Sequence, residues 1–211
     1  MKAHTLETQT TVTPEKALNF LKEGNQRFVN NLKANRDLLE QVNATRAGQW
    51  PFAVVLSCID SRTSAELIFD QGLGDVFSIR IAGNFVNQDI LGSMEFGCNV
   101  AGSKLVVVLG HSKCGALKGG LDSAQIEDLG MDNLNHLIGH FNPIINEIIE
   151  DGEERSSSNT DLLERLNHHN VKNAIDEIRK QSSTLRNLEN EGKIKIIGAN
   201  YDVETGVVSW L

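Results

Sequence analysis

The sequence predicts an α/β fold: a central, mostly parallel β-sheet flanked by helices, with an N-terminal helical arm and a C-terminal edge hairpin. Three observations predict it. Short, continuous apolar runs at 52–57 and 105–109 have the composition of strands buried on both faces. Helical patterns alternate with those runs, and such alternation favours parallel strands joined by right-handed crossovers. A Glu204-Thr205-Gly206 turn then leads into Val207-Val208-Ser209-Trp210 at the end of the chain.

In chain order, Thr13 followed by Pro14 is a helix-start signal, and Ala17, Leu18, Leu21, Phe28 and Leu32 recur at helical spacing, which predicts an amphipathic helix over 14–34. Phe52 to Ser57 reads as the first strand, with Cys58 at its carboxyl end. Thr63 and Glu66 have capping-box spacing before Leu67, Ile68 and Phe69, so a short helix follows, broken by Gly72 and Gly74. Val76 to Ile81 is a second strand, 88–101 a helix interrupted by glycines, and Leu105 to Leu109 a third strand. Helical patterns cover about 131–150 and 160–190, separated by a polar loop, and 193–198 is a further strand. The whole of 1–211 reads as one domain, with an arm over about 1–48 and a core over 49–211.

Composition narrows the function. The formal net charge of -8 disfavours a nucleic-acid partner, since phosphate binding needs a concentrated basic surface. No apolar run approaches the ~20 residues of a membrane span, and the N-terminus lacks the apolar core of a signal peptide. A cytoplasmic protein with no membrane partner is expected. The 3 cysteines form no disulfide framework, so each is weighed as thiolate, metal ligand or buried small hydrophobe. Cys98, inside a helical stretch, fits the last.

Cys58 and the pair His111-x-x-Cys114 fall at the carboxyl ends of strands, where open α/β sheets bind ligands. Two thiolates with one imidazole are an established catalytic zinc set, and the lack of a second close pair argues against a closed structural site. One Zn2+ per chain is expected there. Cys58, Asp60 and Arg62 alternate, so an extended backbone points them to one side, with Arg62 holding Asp60 ionised beside the metal. Asp60 then orients zinc-bound water, or fills the fourth position and shuts the site. Zinc can lower the pKa of bound water to about 7, which makes hydroxide available at neutral pH and suggests, as a hypothesis, attack on an electrophile such as carbon dioxide.

Other patterns carry less. Gly110-x-x-x-x-Gly115 imitates a phosphate-binding loop, but Ala116-Leu117 stands where that loop requires Lys-Ser/Thr. His136 and His140 have the spacing of a two-histidine metal site on an amphipathic helix. The remaining alternatives keep the zinc: a hydrolase of carbon disulfide or carbonyl sulfide, or a non-catalytic zinc module with Asp60 in the fourth position.

The segments Cys58-Ile59-Asp60-Ser61-Arg62 and Gly110-His111-Ser112-Lys113-Cys114-Gly115 together resemble the β-carbonic anhydrase signature. Gly74 to Arg80, Ala82-Gly83-Asn84 and Tyr201 to Gly206 are similar to further segments of that family. The resemblance implies reversible hydration of carbon dioxide to bicarbonate by a zinc lyase with an Asp60–Arg62 dyad, built as a homodimer or a dimer of dimers. It also implies that Gln49 reaches the substrate across the dimer interface, and that Phe77, Phe96 and Gly115 belong to the substrate pocket. Phe96 stands where the family more often has tyrosine, Ile81 where it has asparagine, and Val55 where some members carry a regulatory tryptophan.

Overall fold

A computed structural model describes residues 3–211. Five strands form one sheet: β1 (Ala53–Ser57), β2 (Val76–Arg80), β3 (Leu105–His111), β4 (Lys195–Tyr201) and β5 (Val208–Trp210). Their order is β2-β1-β3-β4-β5. β1 to β4 are parallel, and β5 returns antiparallel to β4 as the edge hairpin. Strand side chains alternate between faces. Ala53, Val55 and Val107 pack under the helix Pro14–Val29, whereas Val54, Leu56, Val106 and Val108 pack under the helices Gln88–Glu95 and Thr160–Gln181. A third apolar cluster, including Leu117, Phe141, Leu162 and Leu166, closes around Cys58 and Cys114.

Several elements differ from the sequence expectation, each for an identifiable reason. The N-terminal helix ends at Val29 and not near 34, because Asn31 takes a φ of 55° in the left-handed region that asparagine tolerates at a helix end. A separate helix, Leu38–Thr45, follows, capped by Asp37. The pattern over 131–150 divides into Asp132–Gly139 and Asn142–Ile148, since Pro143 supplies no N–H and fits only in the first turn of a new helix. Ser182 divides the pattern over 160–190: its backbone N–H bonds to the Ile178 carbonyl, and its hydroxyl accepts from Leu185 N–H to start Ser183–Asn190.

The stretch 88–101 is α-helical only to Glu95 and continues as a π-turn over Phe96–Val100. No capping box forms at Thr63. Ser64 takes the N-cap position, and the Thr63 hydroxyl donates instead to the carbonyls of Cys58 and Asp60. β3 runs on to His111, so that histidine belongs to the strand and does not follow it. This extension needs Gly110. A Cβ there would lie 2.5 Å from Asn200 Oδ1, 2.6 Å from Val171 Cγ2 and 2.7 Å from Asn167 Oδ1.

Candidate metal centre

β1 and β3 are neighbours, but the chain leaves β1 for β2 on one side and β3 for β4 on the other. That divergence opens a crevice at the carboxyl ends of the two strands, the usual ligand position in open α/β sheets. Cys58 follows the last residue of β1, His111 is the last residue of β3, and Cys114 precedes the helix Gly115–Leu121 after a tight turn in which Lys113 has a φ of 58°.

All three side chains are buried, and their ligand atoms lie within 4.8 Å of one another. Cys58 Sγ and Cys114 Sγ are 4.0 Å apart. Among the described residues no other group of three or more His, Cys, Asp or Glu converges in this way, His136 and His140 included. His111 Nδ1 lies 3.0 Å from the Ser112 carbonyl. A carbonyl only accepts, so Nδ1 carries the proton and Nε2 presents its lone pair. Nε2 is buried and has no hydrogen-bond partner. Buried polar atoms are nearly always paired, and a divalent cation between Nε2 and the two sulfurs satisfies this one.

The thiols fit the same group. Cys58 falls to about 4, first through the hydrogen bond from Cys114, then, against burial, through the backbone N–H groups of Gly83 and Asp60. Cys114 is pushed far up by its bond to Cys58 and by burial. The pair on its own therefore holds one thiolate and one thiol, and a bound cation supplies the charge that releases the second proton.

Beyond Cys58 the backbone does not stay extended. Asp60 Oδ1 accepts from Arg62 N–H at 2.9 Å, and the Asp60 carbonyl accepts from Thr63 N–H at 2.9 Å, so the chain turns. The turn, not strand alternation, brings Asp60 and Arg62 together: Arg62 Nε donates to Oδ1 at 2.9 Å and Nη2 to Oδ2 at 2.7 Å. These bonds hold the Asp60 carboxyl far below the usual carboxylate range.

The carbonic anhydrase family model matches residues 53–208. The chain belongs to that family. This family member is 32% identical over 194 residues to carbonic anhydrase 2 of Mycobacterium tuberculosis, covering 92% of this chain and 90% of the relative. It is 32% identical over 197 residues to a carbonic anhydrase of Mycolicibacterium smegmatis, covering 92% of each. Its fold is that of the β class. The β-carbonic anhydrase CcaA superposes with a TM-score of 0.71 at 24% identity, over 92% of this chain and 91% of the other. The β-carbonic anhydrase CafA of Aspergillus fumigatus gives 0.71 at 24%, over 93% and 89%.

The remaining residues singled out in the sequence are spread more widely. Gly115 opens the helix after Cys114, with open space where a Cβ would stand. Phe77 and Phe96 pack against each other, ring centroids 6.2 Å apart, and Phe96 is largely exposed. Gln49 is exposed beside Gly74. Cys98 is buried, and burial pushes its thiol up to about 12, as suits a small core hydrophobe.

Sequence reasoning missed the groups that hold the centre from behind. Gly83 N–H donates to Cys58 Sγ at 3.3 Å. Arg80 donates through Nε to the Cys58 carbonyl at 3.0 Å and through Nη2 to the Asp60 carbonyl at 2.6 Å. Backbone donors leave no side-chain signature. The signal for Gly83 was its place in Ala82-Gly83-Asn84, directly after a strand end.

Proposed function

We propose that this chain catalyses the reversible hydration of carbon dioxide to bicarbonate and a proton, with one zinc ion per chain held by Cys58, His111 and Cys114. The observation that carries the reading is the convergence of these three ligands at the strand ends of a carbonic anhydrase fold, with an ionised carboxylate locked beside them. When bound, zinc supplies a Lewis acid and lowers the pKa of the water it holds.

The chain's own residues prepare and orient. Gly83 N–H stabilises negative charge on Cys58, and the Ser112 carbonyl fixes the His111 tautomer that offers Nε2. Arg62 keeps Asp60 ionised, so Asp60 only accepts hydrogen bonds. It thereby holds the hydrogen of an attacking water and turns the oxygen lone pair toward carbon dioxide. Both Asp60 oxygens accept from Arg62, which supports an open site over one closed by the carboxylate.

We further assign Gln49, Phe77, Phe96 and Gly115 to a substrate pocket completed in a homodimer or dimer of dimers. The exposed Leu38, Leu39 and Val42 on the helix before Gln49 support this. Among structures of similar fold, two β-carbonic anhydrases of Sordaria macrospora are tetrameric. The same reading takes 1–211 as one functional unit in the cytoplasm. Among the described residues no helix is long and apolar enough to cross a membrane.

The test is stopped-flow carbon dioxide hydration by protein of measured zinc content. Asp60→Asn keeps its zinc and loses about 10²–10⁴-fold in kcat; Cys58→Ser loses the metal and the activity together. Full zinc occupancy without hydration between pH 6.5 and 9 (roughly the range over which such water titrates) overturns the reading. Carbon disulfide and carbonyl sulfide are then the substrates to assay.

A further inference from the structure

Midway along the helix Thr160–Gln181, Asn170 interrupts an apolar stripe formed by Leu163, Leu166, Ala174 and Ile178. It is fully buried. Its Nδ2 donates to the Gly83 carbonyl at 2.8 Å, while its Oδ1 has no partner. The carbonyl can only accept, so the amide orientation is determined. A buried amide with half its hydrogen-bonding capacity unmet costs free energy, and an apolar side chain would fill the stripe without that cost. The gain lies in what the bond to Gly83 holds.

Gly83 is the third residue of a turn closed by Asn84 N–H to the Ile81 carbonyl at 3.0 Å. Its φ of 80° is the type II value, open to glycine and strained for other residues. In this turn the Gly83 N–H is not used internally and donates to Cys58 Sγ. On one side the turn is packed so closely that a Cβ on Gly83 would lie 2.3 Å from Phe141 Cζ and 3.2 Å from Ala116 Cβ. On the other side stands Asn170. The side chain of Asn84 adds no hydrogen bond of its own. The Gly83 carbonyl shares a peptide plane with the Asn84 N–H, so a carbonyl freed to swing breaks the turn-closing bond to Ile81 and loosens the turn that aims the Gly83 N–H at the sulfur.

We propose that Asn170 is a positioning residue for the metal centre: through the Gly83 turn it sets the hydrogen bond that orients the Cys58 sulfur toward zinc. The inference rests on the reading of Cys58 as a zinc ligand. Groups that orient a metal ligand from behind typically change metal affinity by 10–100-fold when removed.

The test compares the wild-type chain with Asn170→Ala and Asn170→Ser, each loaded with zinc or with cobalt(II). Serine keeps the helix but is too short to reach Gly83, and it carries the comparison if the alanine variant does not fold. Both variants are expected to release zinc into a chelating indicator about 10–100-fold faster than wild type. Their thiolate-to-cobalt charge-transfer band is expected to shift. Wild-type release and an unchanged band in a folded variant overturn the proposal, even with a lowered unfolding midpoint, because that combination marks a residue that only packs. If the wild-type chain takes up cobalt without a thiolate band, or takes up no metal, the zinc reading fails and this proposal with it.

Discussion

Replacing Asp70 by asparagine removes the charge that two guanidiniums of the N-terminal arm share. Arg27 Nε lies 2.5 Å from Asp70 Oδ2, and Arg36 Nη1 lies 2.5 Å from Oδ1. Ala34 N–H donates to Oδ2 at 3.1 Å, and the residue itself is held at a φ of 44°. The Asp70 and Arg36 side chains are only 6% and 7% exposed, and that of Arg27 is 26% exposed. Breaking a buried charge pair from one side costs about 3–5 kcal/mol, and the partial exposure of Arg27 places this case near 3. At about 2–4 °C per kcal/mol for a chain of this size, Asp70→Asn lowers Tm by about 6–12 °C.

The pH dependence follows from the same contacts. Burial pushes the Asp70 carboxyl up, but Arg27, the Ala34 N–H and Arg36 together hold it below its ordinary value. A depressed carboxyl contributes stability that is complete above the unfolded-state pKa of about 4 and is lost as pH falls through the folded one. Asp70→Asn therefore flattens the acid limb. The assay is urea unfolding at fixed protein concentration from about pH 7 down to 3, across that unfolded-state pKa. A loss under 1 kcal/mol at neutral pH (about the worth of an exposed pair), or acid limbs that run parallel in variant and wild type, refutes the clamp.

Three further outcomes are expected. Gly110→Ala drives a methyl group into Asn200, Val171 and Asn167, and overpacking of that kind costs about 1–3 kcal/mol in denaturant unfolding; a change within 0.5 would contradict the contacts given above (roughly the scatter of neutral substitutions). In metal-free protein Cys58 is the low-pKa thiol and Cys98 the high one, so iodoacetamide near pH 6 labels Cys58 ahead of Cys98 by mass spectrometry, and the reverse order would remove the electrostatic argument. Zinc protects Cys58 from the same reagent; equal labelling of Cys58 with and without zinc would mean that its sulfur does not ligate the metal.

The fold was legible because its strands are short, apolar and interleaved with helical patterns, a local signal that survives without tertiary information. Element ends were not. Asn31 and Ser182 each stop a helix, and Pro143 starts a new one, through backbone geometry or a cap, which a periodic reading runs across. At the site, Cys58, His111 and Cys114 could be picked out since few residue types bind zinc and strand ends converge in a parallel sheet. Asp60 and Arg62 do pair, but through a turn and not through the extended backbone expected. The turn at Asp60 is closed by its own carboxylate and carbonyl, and no alternation pattern encodes it.

By itself the sequence determined the sheet class, the Cys58, His111 and Cys114 candidate set and the family resemblance, because each rests on residue type and spacing along the chain. The tertiary structure alone decided which groups stand behind the ligands. Asn170 and Gly83 are 87 positions apart, and Asp70 meets Arg27 and Arg36 across 43 and 34. Contacts over such distances depend on how helices pack on the sheet, and packing is set by the shape of the whole core, which no local stretch of sequence contains.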